Sequence, residues 1–131
     1  MTKKHIRVAA AIIYRDQQFL LSKRKGDQHQ GGKWEFPGGK IEQGESIDAA
    51  LARELKEELD IEIDEQSHFH SLDFEYPEKH VSLVFQLVTD FDGLARGVEG
   101  QEVAWFSKAE LMGLTFPDAN VPVLEKIQAE L

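Results

Sequence analysis

Apolar residues at Ile47, Leu51, Leu55 and Leu59 recur every fourth position, the repeat of one helix face. Ser46 stands just before them, where a hydroxyl can accept from an exposed helical N–H. The pattern predicts a helix over about 47–59 with its apolar stripe against a sheet. Elsewhere the runs are shorter and richer in β-branched residues. Residues 6–14 read as a buried strand, which a turn at Arg15-Asp16 returns to a partner at 18–22. Trp34-Glu35-Phe36 is a short extended piece, and Pro37 biases Phe36 toward β geometry. Strands are expected at 69–76 and 80–89 around a turn at Pro77-Glu78. The second is apolar on both faces and therefore central. Residues 103–106 form another strand, and Ser107 caps a short helix to Met112. A last helix starts at Asp118 or Asn120, with Val121, Leu124, Ile127 and Leu131 on one side. Residues 25–33 and 91–101 are polar, glycine-containing loops. This order makes a mixed sheet between helices, an α/β fold.

The 131 residues suit one domain, 1–131, large enough to bury about two-thirds of its unfolded surface without a staple. There is no cysteine, hence no disulfide and no thiolate metal site. No apolar run approaches the ~20 residues of a membrane span. The first five residues lack the apolar core of a signal peptide. A cytoplasmic monomer without a membrane partner is expected. The formal charge of −9 disfavours a nucleic-acid polymer as partner, since such binding needs a basic stripe. Lys23, Arg24, Lys25, Lys33 and Lys40 precede the acid-rich stretch 42–65. They are either solubilising charge or a local offset for a small anionic substrate.

Chemistry concentrates on the predicted helix. Positions i, i+3 and i+4 are neighbours on a helix surface, so Glu54, Glu57 and Glu58 stand together. Like charges so placed repel by roughly 0.2–0.5 kcal/mol per pair. A hard divalent cation turns that repulsion into coordination, and Mg²⁺ favours oxygen ligands. The same cluster is also compatible with a solvated acidic face. Arg53 can pair with Glu57 at i, i+4. Upstream, Gly38-Gly39 permit backbone angles that other residues resist.

The string Gly39, five residues, Glu45, seven residues, Arg53-Glu54-Leu55-x-Glu57-Glu58-x-x-Ile61 resembles the signature of the Nudix hydrolases. One position departs: Asp60 stands where the family usually has a glycine helix C-cap, a left-handed conformation that Asp can adopt. Further along, Lys33-Trp-Glu-Phe-Pro-Gly-Gly-Lys-Ile-Glu42, Glu75-Tyr-Pro-Glu-Lys-His80, Val98-Glu-Gly-Gln101 and Phe116-Pro-Asp-Ala-Asn120 are similar to the MutT-type branch of that family. That branch removes oxidised guanine nucleotides from the precursor pool.

The resemblance implies an α/β/α sandwich and a Mg²⁺-dependent pyrophosphohydrolase, with Mn²⁺ as a possible substitute. It would hydrolyse 8-oxo-dGTP, and plausibly 8-oxo-GTP, to the monophosphate and pyrophosphate. It implies metal ligands at Glu54, Glu57, Glu58, the Gly38 carbonyl and Glu99. Arg53 would position Glu57 and Glu45 would support the loop; Glu54 is the first choice to activate water, a role that a distant loop glutamate can take in this family. Nucleotide contacts are implied at Arg24, His29, Asn120 and the backbone of Glu35, Phe36, Pro37 and Gly38. Lys40 and Lys79 are candidates for phosphate or lid contacts, Lys79 replacing an arginine and losing its planar fork. Guanine oxidised at C8 carries a proton on N7, and the Asn120 amide can accept from it while donating to O6. Read without the family, Glu99 is an exposed loop acid and Asn120 a helix N-cap. Two other readings stay open: a Nudix hydrolase of ADP-ribose, a dinucleoside polyphosphate or dCTP, and a non-catalytic nucleotide sensor.

Overall fold

A computed structural model describes residues 4–23, 33–116 and 120–131. Among these described residues, seven strands and three helices follow the order β1 (Lys4–Arg15), β2 (Gln18–Lys23), β3 (Trp34–Glu35), β4 (Gly38–Lys40), α1 (Ile47–Leu59), β5 (Glu62–Glu75), β6 (Lys79–Asp92), β7 (Val103–Ser107), α2 (Lys108–Met112) and α3 (Val121–Glu130). The strands form one mixed sheet whose main path runs β3-β2-β1-β6-β5, with β4 on β1 and β7 on β2. Only β1 and β6 pair in parallel, from Lys4↔Lys79 to Ile13↔Val88; the other pairings are antiparallel.

Alternation along β1 divides the interior into two layers. Ala9, Ala11 and Ile13 face α1 and pack with Leu51, Leu55, Leu59, Ile61 and Val88. Ala10 and Ile12 face α2 and α3, packing with Phe19, Phe85, Phe116, Leu111, Val123 and Ile127. The fold is therefore the expected α/β/α arrangement. Leu51, Leu55 and Leu59 are fully buried. Burying each is worth about 1.5–3 kcal/mol relative to exposure, and this cost of release holds α1 on the sheet.

Several limits move. β5 begins at Glu62 rather than 69, and β6 runs on to Asp92, because a two-stranded ladder continues through irregularities near Ile63–Gln66 and His68–His70. The β1–β2 turn centres on Asp16 and Gln17, one residue later than expected, both with positive φ (52° and 63°). A two-residue hairpin turn of type I′ requires that at both central positions. Of the expected apolar side of α3, Ile127 is buried and Leu124 and Leu131 pack partly buried on the core, while Val121 is exposed and Val123 is buried instead. Asp60 does take the left-handed cap conformation, φ 59° and ψ 40°, with its N–H bonded to the Lys56 carbonyl. Lys56 and Arg96 flank its carboxylate.

Candidate active site

The acid-bearing helix is tied down at both ends. At its start, the Ser46 hydroxyl accepts from the Ala49 N–H. The buried Gln86 amide of β6 donates to Asp48 Oδ1 at 2.8 Å and to Gln66 Oε1 at 3.1 Å, and Gln66 donates to the Asp48 carbonyl. A buried amide is costly unless bonded, so this network fixes the first turn. At its end, the carbonyls that a helix leaves without internal partners are met by the loop after β6. The Arg96 N–H reaches the Leu59 carbonyl and the Val98 N–H the Glu58 carbonyl, each at 3.0 Å.

Arg53 organises the exposed side. Its Nε and Nη2 donate to the two oxygens of Glu45 at 2.8 and 2.9 Å. Its Nη1 donates to Glu54 at 2.9 Å, and Nη2 also reaches the Lys40 carbonyl at 3.1 Å. The expected i, i+4 ion pair with Glu57 is present but longer, 3.6 Å from Nη1 to a more exposed side chain. A planar guanidinium matches a carboxylate in a two-pronged bond, and Glu45 offers one from the loop while Glu54 supplies the adjacent oxygen. The paired charge holds the Glu45 carboxyl at about 2, the Arg53 hydrogen bond being the largest cause and the Glu42 N–H the next. Arg53 is pushed further above its already high value by the same partners.

Beside this paired network, Glu58 is crowded by negative charge. Burial, then Glu54, Glu99 and Glu35 in turn, push its carboxyl up to about 8, against a smaller opposing backbone hydrogen bond from Gly38. The structure thus brings Glu54, Glu58 and Glu99 into one neighbourhood and adds Glu35. Glu57 is exposed. Gly38 and Gly39 make the approach possible. A Cβ at Gly39 would lie 2.3–2.6 Å from the Glu54 carboxyl atoms, and one at Gly38 would lie 2.0 Å from the Ala9 carbonyl. The clash at Gly38 is with backbone, so glycine is required there, whereas a side chain at Gly39 would displace the Glu54 carboxylate.

These residues fit a divalent cation by donor chemistry. They present oxygen atoms only, and repulsion among them needs compensation. Among the described residues no group of three His, Asp or Glu side chains is arranged to hold an ion as it stands.

A NUDIX domain matches residues 3–127. The chain belongs to the Nudix family. It is an enzyme of the Nudix hydrolase class, whose members generally use a divalent metal. It is 40% identical over 126 residues to the 8-oxo-dGTP diphosphatase of Escherichia coli, covering 95% of this chain and 98% of that protein. It is also 40% identical over 126 residues to the CTP pyrophosphohydrolase of Escherichia coli, covering 96% and 93%. A MutT structure from work on Aliivibrio salmonicida and Vibrio cholerae superposes with a TM-score of 0.89 at 42% identity, covering 98% of this chain and all of that one.

Of the residues of this Nudix chain expected to meet a nucleotide, Glu35, Phe36, Pro37, Gly38 and Asn120 are described. Asn120 is buried at the N-cap position of α3 without a side-chain capping hydrogen bond, and Pro122 follows in the first turn, where a missing N–H costs nothing. The Phe36 ring stacks on Phe116 at 5.4 Å and meets Phe85 edge-on. Its side chain is therefore core, leaving only its backbone for a ligand. The Pro37 carbonyl already accepts from the Ala11 N–H at 2.7 Å. Lys79 lies over the Tyr76 ring, and Lys40 is exposed at the end of β4. Arg24 and His29 lie outside the described residues, as do Lys25 and residues 117–119.

Two features escaped the sequence reading. Glu35 was assigned only through its backbone, yet its charge reaches Glu58. The Gln86–Asp48 anchor had one available signal, a polar residue inside the apolar run 81–88.

Proposed function

We propose that the chain is a Mg²⁺-dependent nucleoside triphosphate pyrophosphohydrolase acting on 8-oxo-dGTP, with 8-oxo-GTP as a second substrate. Its role would be to clear oxidised guanine nucleotides before DNA synthesis uses them. The observation that carries the reading is the Glu58 carboxyl, crowded by Glu54, Glu99 and Glu35 beside an arginine already committed to Glu45. Such a site has unspent negative charge aimed at a cation and a rigid frame to hold it.

The cation, held by Glu54, Glu57, Glu58, Glu99 and the Gly38 carbonyl, would neutralise phosphate charge and make a bound water more acidic. Arg53 keeps Glu54 in one rotamer by donating to Oε1. Glu54, as base, takes a proton from the attacking water, whose oxygen bonds to the β-phosphorus. The bond from that phosphorus to the bridging oxygen breaks. Pyrophosphate carries the water oxygen and the monophosphate keeps the bridging one. Positioning and charge neutralisation dominate such transfers. Asn120, buried at the start of α3, would read the purine edge. A site built around such a bond can reject the analogue lacking it by ~10⁴-fold or more.

One observation favours a second substrate. The relative named CTP pyrophosphohydrolase is as similar to this chain as the relative named 8-oxo-dGTP diphosphatase. Diphosphate chemistry is common to both readings; the base is not.

Competing 8-oxo-dGTP, dGTP and CTP as substrates in Mg²⁺ and labelled water tests both. The proposal expects 8-oxo-dGTP to dominate and the label to enter pyrophosphate. Release of orthophosphate, equal rates for 8-oxo-dGTP and dGTP, or preference for CTP overturns the assignment.

A further inference from the structure

The loop between β6 and β7 brings Glu99 toward α1, and one side chain ties the two together. Gln101 Nε2 donates to the Glu58 carbonyl at 3.0 Å, while Gln101 Oε1 accepts from the Glu99 N–H at 3.0 Å. One amide therefore bridges the main chains of two acidic residues, using a donor at one end and an acceptor at the other. The Glu58 carbonyl also receives the Val98 N–H, so the loop is fastened to that point from two directions. The bend is closed by the Gly100 N–H on the Gly97 carbonyl at 3.1 Å, and Gly100 has φ 83°. A Cβ at Gly97 would lie 1.9 Å from the Gln101 carbonyl, so the bend is drawn tight against the residue that clamps it. Glu99 itself is exposed at the tip of this bend, and no fully buried apolar side chain anchors it. Its place is set by hydrogen bonds instead.

We propose that Gln101 is a positioning residue for cation binding: its amide fixes the Glu99 carboxylate at the distance from Glu58 at which both can share one ion. This rests on the reading of Glu99 as a cation ligand. Gln101 touches neither ion nor substrate. Loss of its bridge leaves both carboxylates present and lets the bend drift, so the effect falls on cation affinity. Groups that orient ligands in this way typically govern 10–100-fold in metal affinity or activity.

The test uses the full chain and Mn²⁺ alone, with binding followed by electron paramagnetic resonance in the absence of nucleotide. Thermal melting and the Mg²⁺ activation constant are measured on the same samples. Gln101→Met keeps the length and removes both hydrogen bonds. Gln101→Glu keeps an acceptor for the Glu99 N–H and removes the donor to the Glu58 carbonyl. Both are expected to weaken Mn²⁺ binding by about 10–100-fold and to raise the Mg²⁺ activation constant in step. At saturating Mg²⁺, KM for the nucleotide should stay within about twofold of wild type. If Gln101→Met does not fold, Gln101→Glu is read by the same criterion. A lowered melting temperature with unchanged Mn²⁺ affinity shows a merely structural residue and overturns the proposal. Glu99→Gln serves as the control. If it binds Mn²⁺ as wild type does, the reading of Glu99 itself has failed. If it is impaired while the Gln101 variants are not, only the positioning role of Gln101 has failed.

Discussion

The guanidinium of Arg53 grips the carboxylate of Glu45 in a two-pronged hydrogen bond, 2.8 Å from Nε and 2.9 Å from Nη2, and spends its remaining arm on Glu54. Loop and helix are thereby locked at the point where the acids meet. Lysine keeps the charge but has no planar fork and cannot reach both partners at once. Arg53→Lys should reduce turnover about 10–100-fold while leaving the circular dichroism spectrum unchanged. Turnover equal to wild type would show that Glu54 needs no such support.

Glu58 supplies a stability signature that requires no substrate. Its folded-state carboxyl is raised to about 8, first by burial and then by Glu54, Glu99 and Glu35. A raised carboxyl binds its proton more tightly folded than unfolded. Its contribution is therefore complete below the unfolded value near 4.5 and is lost as pH rises through about 8. In chelator, the melting temperature should fall across that window. Glu58→Gln should flatten the fall and melt above wild type at about pH 8.5, while losing most activity. A steeper fall in the variant would contradict the crowding.

A second titrating group lies at the far end of β6. His80 contacts Glu75 and sits 3.0 Å from Asp73, whose carboxylate also accepts from Ser82; the His5 ring, bonded to Ser82, packs edge-on against His80. Hydrogen bonds to Asp73 and Glu75 raise the imidazole above its ordinary value near 6.5. Stability from this pair is fully present below about 6.5 and disappears as pH climbs through the raised folded value. His80→Gln should remove it. Glu58 titrates with the same sign in an overlapping window, so the comparison belongs in a Glu58→Gln background. Identical pH profiles of melting with and without His80 would refute the contribution.

The sequence carried the helix and its acids to within a residue because three independent signals coincide there. They are the four-residue apolar repeat, the Ser46 cap and the Asp60 stop. Burial of Leu51, Leu55 and Leu59 follows directly from that period. The strand limits were less legible, since 62–68 is Glu-Ile-Asp-Glu-Gln-Ser-His, a polar run that joins the sheet only because β6 offers a partner. The partners of Arg53 were also hidden. Helical spacing points to Glu57, and only the folded loop carries Glu45 within reach. Gln101 could not be read from one dimension at all, because its two bonds join residues 43 positions apart and two positions apart. Glu99 was reached through family resemblance, there being nothing in an exposed loop acid to mark it. The charge of Glu35 went unread for the opposite reason, as resemblance directed attention to its backbone.

The central claim is that negative side chains on α1 and the β6–β7 loop exist in tension until a divalent cation relieves it. Calorimetric titration of Mg²⁺ into the chelator-treated protein at about pH 7, repeated in buffers of different ionisation enthalpy, reads this directly. The account predicts ion uptake accompanied by release of a proton from Glu58, with affinity rising as pH rises toward 8 and with uptake severely weakened in Glu58→Gln. Absence of any Mg²⁺ uptake, with nucleotide present or not, would contradict it.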